Sequence, residues 1–286
     1  MKILLINTFI HNKNLFALRN YKNIELYETT GNEPINLSEY DCVLSPSMPI
    51  DVSLYPKVRF IFGPHFSVFP EEKYNIIKGK NSVYNVLCEW NYQIYKNNKI
   101  TEEINLVKIP FGVDTENFSE IKTIENREYV FIYYKSREPQ ELLFIENVLK
   151  TKNITYKIFS YEKRYDEQDY LSYLQNSKYG IWLGRHESQG FALQEALSCN
   201  VPLFVVSVKS MNQEYRSNYA NIPATTNPYW DERCGEHVND LCEFHSKYDI
   251  FLKKLHEYKP REFILENLSM DKCEEILKKT INNISL

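Results

Sequence analysis

Residues 179–206 read YGIWLGRHESQGFALQEALSCNVPLFVV, and the order of patterns within them decides the fold. Tyr179 to Leu183 is a short apolar run with the length and aromatic content of a buried strand. A polar turn, HESQG, follows at 186–190, and from Phe191 onward Leu193 and Leu197 share one helical face, as do Ala192 and Ala196. Asn200-Val201-Pro202 breaks the helix, and a second apolar run, PLFVVSV, begins there. Strand, helix and strand in this order form a parallel βαβ unit. A helix starting at the carboxyl end of a strand points its unpaired N–H groups at whatever binds there. Glu187 precedes the helix and Glu195 lies five residues past Gly190, roughly 7.5 Å along the axis at ~1.5 Å per residue. Two carboxylates are thus expected at different depths beside one anion-attracting helix start.

The same rhythm extends in both directions. Upstream, ILLINTF, DCVLS, VRFIFG, SVYNVLC and INLVKIP are each followed by a polar or helix-like stretch, the alternation of an α/β fold with a mostly parallel sheet. Punctuation by Pro110 and Gly112 and a charged segment from Glu116 to Glu128 precede a new buried-strand pattern, YVFIYY, at Tyr129. A helix around 138–150, strand ITYKIFS, a helix near 167–176 and the strand at 179 complete the second half, and the segment after Pro260 has helical character. The chain is expected to form two Rossmann-like domains, residues 1–112 and the larger 113–286, the latter ending in a C-terminal helix.

Composition narrows the class. An apolar share of 43% and a charged share of 25% are those of an ordinary globular core, so coiled coil, collagen and disorder are poor readings. The formal charge of −4 removes the global basic field on which non-specific nucleic-acid binding depends, leaving room only for a local cationic pocket. No stretch reaches the roughly 20 apolar residues of a membrane-spanning helix. MKILLINTFI is interrupted by Asn7 and reads as a first strand, and Cys42, Cys88, Cys199, Cys234, Cys242 and Cys273 are scattered as reduced thiols would be. A cytoplasmic protein is the expectation, with peripheral membrane contact and oligomeric state left open.

At this point the chain resembles a known family, the retaining GT-B glycosyltransferases of the GT4-like group. Their signature, E-x-F-G-x-x-x-x-E-A-x-x-x-x-x-P, stands here as ESQGFALQEALSCNVP, and their interdomain I-P-N-G-V-D-x-x-x-F as IPFGVDTENF, with Phe111 in place of the usual Asn. The resemblance implies a GT-B fold, two Rossmann-like domains facing across a cleft with the N-terminal domain reduced. It implies transfer of a sugar from a nucleoside-diphosphate donor to a hydroxyl acceptor with retention of configuration, and no cofactor beyond that donor. By resemblance Glu187 contacts hydroxyls of the transferred sugar and Glu195 those of the ribose. Main-chain groups of Ser188, Gln189, Gly190 and Phe191 approach sugar and phosphate oxygens. Lys135 and Arg137, just after the first strand of the donor domain, neutralise the departing diphosphate, and His65, in a Gly-Pro turn after an apolar strand, orients the sugar or acceptor. The nucleobase is expected on the stretch holding Tyr161, Lys163 and Tyr165, Tyr161 foremost.

Other readings lose. There is no Asp-x-Asp for a metal-held donor, no G-x-G-x-x-G, no Walker loop and no G-x-S-x-G elbow. Cys234, His237, Cys242 and His245 have zinc-ligand types, but a strand through 235–238 and a helix after Leu241 need not let them converge. The polar-aromatic run NPYWDERCGEHV, with Trp230, Asp231, Glu232 and Arg233, is expected near a binding surface. The rival function is a non-catalytic nucleotide-sugar or glycan-binding protein that keeps the fold.

Overall fold

A computed structural model describes residues 1–32 and 34–286. The chain forms two units, residues 1–112 with 268–286, and residues 113–267.

Unit 1 contains β1 (Lys2–Ile6), α1 (Asn12–Arg19), β2 (Glu25–Thr29), β3 (Cys42–Ser45), β4 (Phe60–Phe62), β5 (Ser82–Asn85), α2 (Glu89–Lys96) and β6 (Leu106–Val107). The sheet is parallel throughout, in the order β2-β1-β3-β4-β5-β6. Its central strands are buried along their length, Ile3 to Leu5, Val43 and Phe60 to Phe62 among them, because a parallel sheet is covered on both faces and selects unbroken apolar runs. The sequence reading omits β2. It is an edge strand, ELYET, with exposed glutamates, and an edge carries charge where a central strand carries valine and isoleucine.

Unit 2 contains β7 (Tyr129–Tyr134), α3 (Pro139–Thr151), β8 (Lys157–Ser160), α4 (Glu167–Leu174), β9 (Ser177–Leu183), α5 (Phe191–Ser198), β10 (Leu203–Val206), β11 (Gly235–Val238), α6 (Phe244–Lys253) and α7 (Pro260–Asn267). The order β11-β10-β9-β7-β8 is again fully parallel. Pro139 opens α3, where its missing N–H costs nothing, and Ile145, Val148 and Leu149 bury one stripe of that helix. They pack with Val130, Ile132, Ile181, Phe204 and Phe244 in one core cluster. Asp166 caps α4 by accepting from the N–H groups of Gln168 and Asp169. The charged segment before β7 is anchored by the buried Arg127, which donates to the carbonyls of Lys122, Ser177, Cys199 and Asn200 and to Glu120.

The C-terminal region is two helices, since Ser269 caps a new one, α8 (Met270–Asn283). Expected to close the second domain, α8 instead belongs to unit 1. Its stripe of Cys273, Leu277 and Ile281 is buried. Asn23 N–H donates to Glu274, and Arg59 donates to the carbonyl of Ile284.

Candidate functional site

In doubly wound sheets ligands settle outside the carboxyl ends of the strands, at the point where strand order reverses. In unit 2 the chain leaves β7 for β8 on one side and then crosses to β9 on the other, which puts the reversal between β7 and β9. Tyr134 and Leu183 are register partners at the ends of those strands. Lys135 follows the first and Gly184-Arg185-His186-Glu187 the second.

The Lys135 ammonium lies 2.5 Å from Glu187 Oε1, with 12% and 19% of the two side chains exposed. It also stands 4.4 Å from the centroid of the Tyr161 ring, which is itself 56% exposed at the end of β8. Three sequence-predicted residues from three strand ends therefore meet. Glu187 is held from behind, its N–H donating to the Thr225 carbonyl at 3.0 Å. Gly190 follows with φ of 80° and forms the N-cap of α5 without any side-chain cap. A Cβ there would sit 3.5 Å from that of Glu187, so glycine is required by the left-handed backbone rather than by crowding. Gln189 is buried and its carbonyl accepts from the Gln194 amide at 2.6 Å, which fixes the turn carrying Ser188 against α5. Phe191 is the first residue of that helix.

Glu195 is buried on α5, 6% exposed. It bears on Tyr165, whose phenol is pushed up to about 12 by burial, with Tyr133 opposing and Glu195 adding to the shift. Tyr133 lies against the Trp182 ring at 3.9 Å and meets Tyr165 edge-on at 6.1 Å. Burial, then Tyr165, then Glu187 raise the Tyr133 phenol well above its ordinary value. The two carboxylates thus act on one aromatic pair.

Arg137 is elsewhere. It is 2% exposed and donates to Glu141, to the Gly184 carbonyl at 3.0 Å and to the Val206 carbonyl at 2.7 Å. It ties the ends of β9 and β10 to α3 from within. The basic pair read from the sequence is therefore split, one member at the strand end and one inside the unit.

The geometry adds residues that the motif reading did not select. Arg185 donates to both oxygens of Glu214, at 2.9 and 3.0 Å. Burial acts against its charge, but Glu187 and Glu214 outweigh burial and hold it protonated. His186 is lowered to about 4 by burial and by Arg185, so it is neutral at pH 7. Arg185 and His186 lie inside the quoted stretch and could have been chosen as charge at a strand end. Glu214 carries no local signal.

In unit 1 the corresponding reversal falls between β1 and β3, where Thr8 and Ser47 hydroxyls meet at 2.7 Å. His65 lies beyond β4, with its N–H on the Pro46 carbonyl. Its Nε2 is 3.0 Å from Asn14 Nδ2 and 3.4 Å from the His11 backbone N–H. A backbone N–H can only donate, so Nε2 accepts and the proton of the neutral ring is on Nδ1. Burial and then His11 lower His65 to about 4.

No protein-family model matches the chain, and no curated protein matches it in sequence. Solved structures do match. A sucrose-phosphate synthase from Thermosynechococcus elongatus aligns over 99% of this chain and 98% of its own, with TM-score 0.58 and 11% identity. A lipopolysaccharide outer core galactosyltransferase in its apo form aligns over 99% of each chain, at 0.55 and 11%. The N-terminal domain of trehalose-6-phosphate phosphatase from Candida albicans aligns over 99% and 97%, at 0.61 and 10%. The fold is GT-B. At such identities the likeness is one of fold, and the chemistry must be argued from the residues.

Within this GT-B chain the remaining sequence candidates fall into place. Asp231 is bonded to Arg233, which also reaches Glu266 at 2.6 Å, so one guanidinium is shared between two carboxylates. Glu232 is exposed, and Trp230 is half-buried on the wall of a separate cavity. Cys234 is buried, its thiol pushed up to about 12 chiefly by burial, whereas Cys242 is exposed. Among the described residues no group of three or more His, Cys, Asp or Glu could hold a metal ion. No helix among them is long and apolar enough to cross a membrane.

Proposed function

We propose that this protein is a retaining, metal-independent glycosyltransferase of the GT4-like group. Unit 2 would bind a nucleoside-diphosphate sugar at the carboxyl ends of β7, β8 and β9. The observation that carries this reading is the meeting of Lys135, Glu187 and Tyr161 beside the start of α5. A nucleoside-diphosphate sugar has four parts to recognise, and four kinds of group are present. The exposed Tyr161 ring offers a face for the base, Glu195 takes the ribose hydroxyls, Lys135 and the α5 N-terminus face the diphosphate, and Glu187 accepts from hydroxyls of the transferred sugar. Lys135 carries the cationic role alone in this scheme, Arg137 being engaged inside the unit.

In the proposed reaction the bond from the anomeric carbon to the β-phosphate oxygen breaks, and the acceptor oxygen bonds to that carbon on the same face. The acceptor proton passes to the departing phosphate, and Lys135 with the helix start stabilises the charge that develops there. His65, neutral with its proton on Nδ1, is proposed to orient a sugar or acceptor hydroxyl rather than to exchange protons at neutral pH.

Two substitutions test the assignment. Glu187→Gln is expected to lower kcat for transfer about 100-fold while nucleoside-diphosphate affinity changes little, since its contacts are to the sugar. Glu195→Ala is expected to weaken nucleotide binding about 10- to 100-fold through loss of hydrogen bonds to a charged acceptor. Small and equal effects from both would overturn it. Transfer by the wild type, with the product anomer read by NMR, separates an enzyme from a binding protein of the same fold.

A further inference from the structure

The polar-aromatic run after the signature finds its place at a cavity of about 480 Å³ at the carboxyl ends of β10 and β11. That volume lies in the ~300–1,000 Å³ range of small-molecule sites. Its floor is a fixed hydrogen-bond network. Ser207 and Thr225 hydroxyls each donate to Asn227 Oδ1 at 3.0 Å. Both hydroxyl oxygens accept backbone N–H bonds, from Thr226 and from Asn227 at 3.3 Å. The carbonyl end of the Asn227 amide is thereby fixed, and its NH₂ end has no partner among the described residues. One wall is aromatic: the half-buried Trp230 and the His237 ring are perpendicular, at 89°, with centroids 6.4 Å apart.

The chemistry of this lining selects its ligand. Perpendicular rings do not form a slot for a flat base. Lys209 is the one Lys, Arg, Asp or Glu of the lining, too little positive charge for a diphosphate and no carboxylate for a cation. What suits an apolar ring face beside neutral amide and hydroxyl groups is a molecule with a C–H face and a hydroxyl edge. The partly positive C–H groups of a sugar ring meet the negative face of indole, and its hydroxyls replace water on the amide.

We propose that this cavity is a saccharide subsite which takes one neutral pyranose unit, stacked on Trp230 and hydrogen-bonded by the Asn227 amide. It does not rest on the donor reading, because none of its lining residues belongs to the Lys135–Glu187–Tyr161 group. Thr225 connects the two places, its hydroxyl lining the cavity while its carbonyl holds the Glu187 N–H.

The chain has three tryptophans, 90, 182 and 230, so the full chain labelled with 5-fluorotryptophan gives three ¹⁹F signals, and Trp230→Phe assigns the third. Titration with the methyl glycosides of glucose, galactose, mannose and N-acetylglucosamine should shift the Trp230 signal saturably for at least one, at a dissociation constant of order ~1 mM. Asn227→Ala should weaken that binding about tenfold. Should Asn227→Ala fail to fold, Trp230→Ala, at a half-buried position, should abolish saturation transfer to the same glycoside. No saturable shift with any glycoside, unchanged affinity in either variant, or a Trp230 shift produced by nucleoside diphosphates alone would each overturn the proposal. Sugar binding without nucleotide binding would uphold it and sink the donor reading instead.

Discussion

With 12% of its side chain exposed and a carboxylate 2.5 Å away, the Lys135 ammonium has already lost most of its water. A diphosphate bound at this strand end, as proposed, would exchange one anionic partner for another instead of stripping a hydrated cation, which lowers the desolvation cost of binding. Lys135→Met is therefore expected to weaken nucleoside-diphosphate binding by roughly 10- to 100-fold, the worth of a charge-assisted hydrogen bond, and to lower Tm as well, because the Glu187 carboxylate loses its 2.5 Å ion pair. Arg137 differs although it is only two residues away. Arg137→Met takes the guanidinium from the Glu141 carboxylate and from the Val206 carbonyl, and leaves the Gly184 carbonyl with only the Thr226 hydroxyl, a loss of about 3–5 kcal/mol that should lower Tm by several degrees. Calorimetry on both variants separates the roles. A basic pair after a strand is readable in sequence, but which member faces solvent depends on the strand ends nearby, and Gly184 and Val206 are 47 and 69 residues away.

The two neutral histidines make a pH prediction at the same scale. His65 and His186 are each lowered from 6.5 to about 4 in the folded protein. Between those values the unfolded chain binds more protons than the folded one, so stability rises with pH across the window and falls as pH drops from about 6.5 toward 4. The urea midpoint should decline between pH 6.5 and pH 4.5, and His186→Gln should flatten part of that decline. A midpoint that rises on acidification would contradict the buried, neutral assignment.

At the scale of elements, α5 and its entry turn hold the candidate site together. Gly190 has a φ of 80°, a conformation costing an L-residue ~1–2 kcal/mol. Gly190→Ala is expected to lower Tm by a few degrees and to weaken nucleotide binding, since relaxing that φ re-aims the first N–H groups of the helix. A variant as stable and as tight-binding as wild type would show that the turn is not selected for its geometry. This element was legible in sequence because all its parts are local: strand, turn, two glutamates and a proline stop. The Arg185–Glu214 pair, 29 residues apart in sequence, was not, since nothing near Glu214 marks its partner. β2 escaped for the opposite reason, having local sequence that resembles a loop and pairing on one side only, with β1.

For the whole molecule, two parallel sheets were visible in the sequence because buried parallel strands are written as unbroken apolar runs. Tyr129 to Tyr134 and Phe60 to Phe62 show this most plainly. The return of residues 268–286 to unit 1 was not visible. An amphipathic stripe such as Cys273, Leu277 and Ile281 states that a helix buries one face but not which unit receives it. The GT-B fold gives the scaffold, and the Lys135–Glu187–Tyr161 group gives the reason to place an activated sugar on unit 2. Thermal unfolding of the full chain against a panel of nucleoside-diphosphate sugars tests that claim most directly, because a ligand bound only by the folded state raises Tm with concentration. A concentration-dependent rise is expected with at least one donor and is expected to be lost in Lys135→Met. No rise with any donor, or the same rise in that variant, would contradict it.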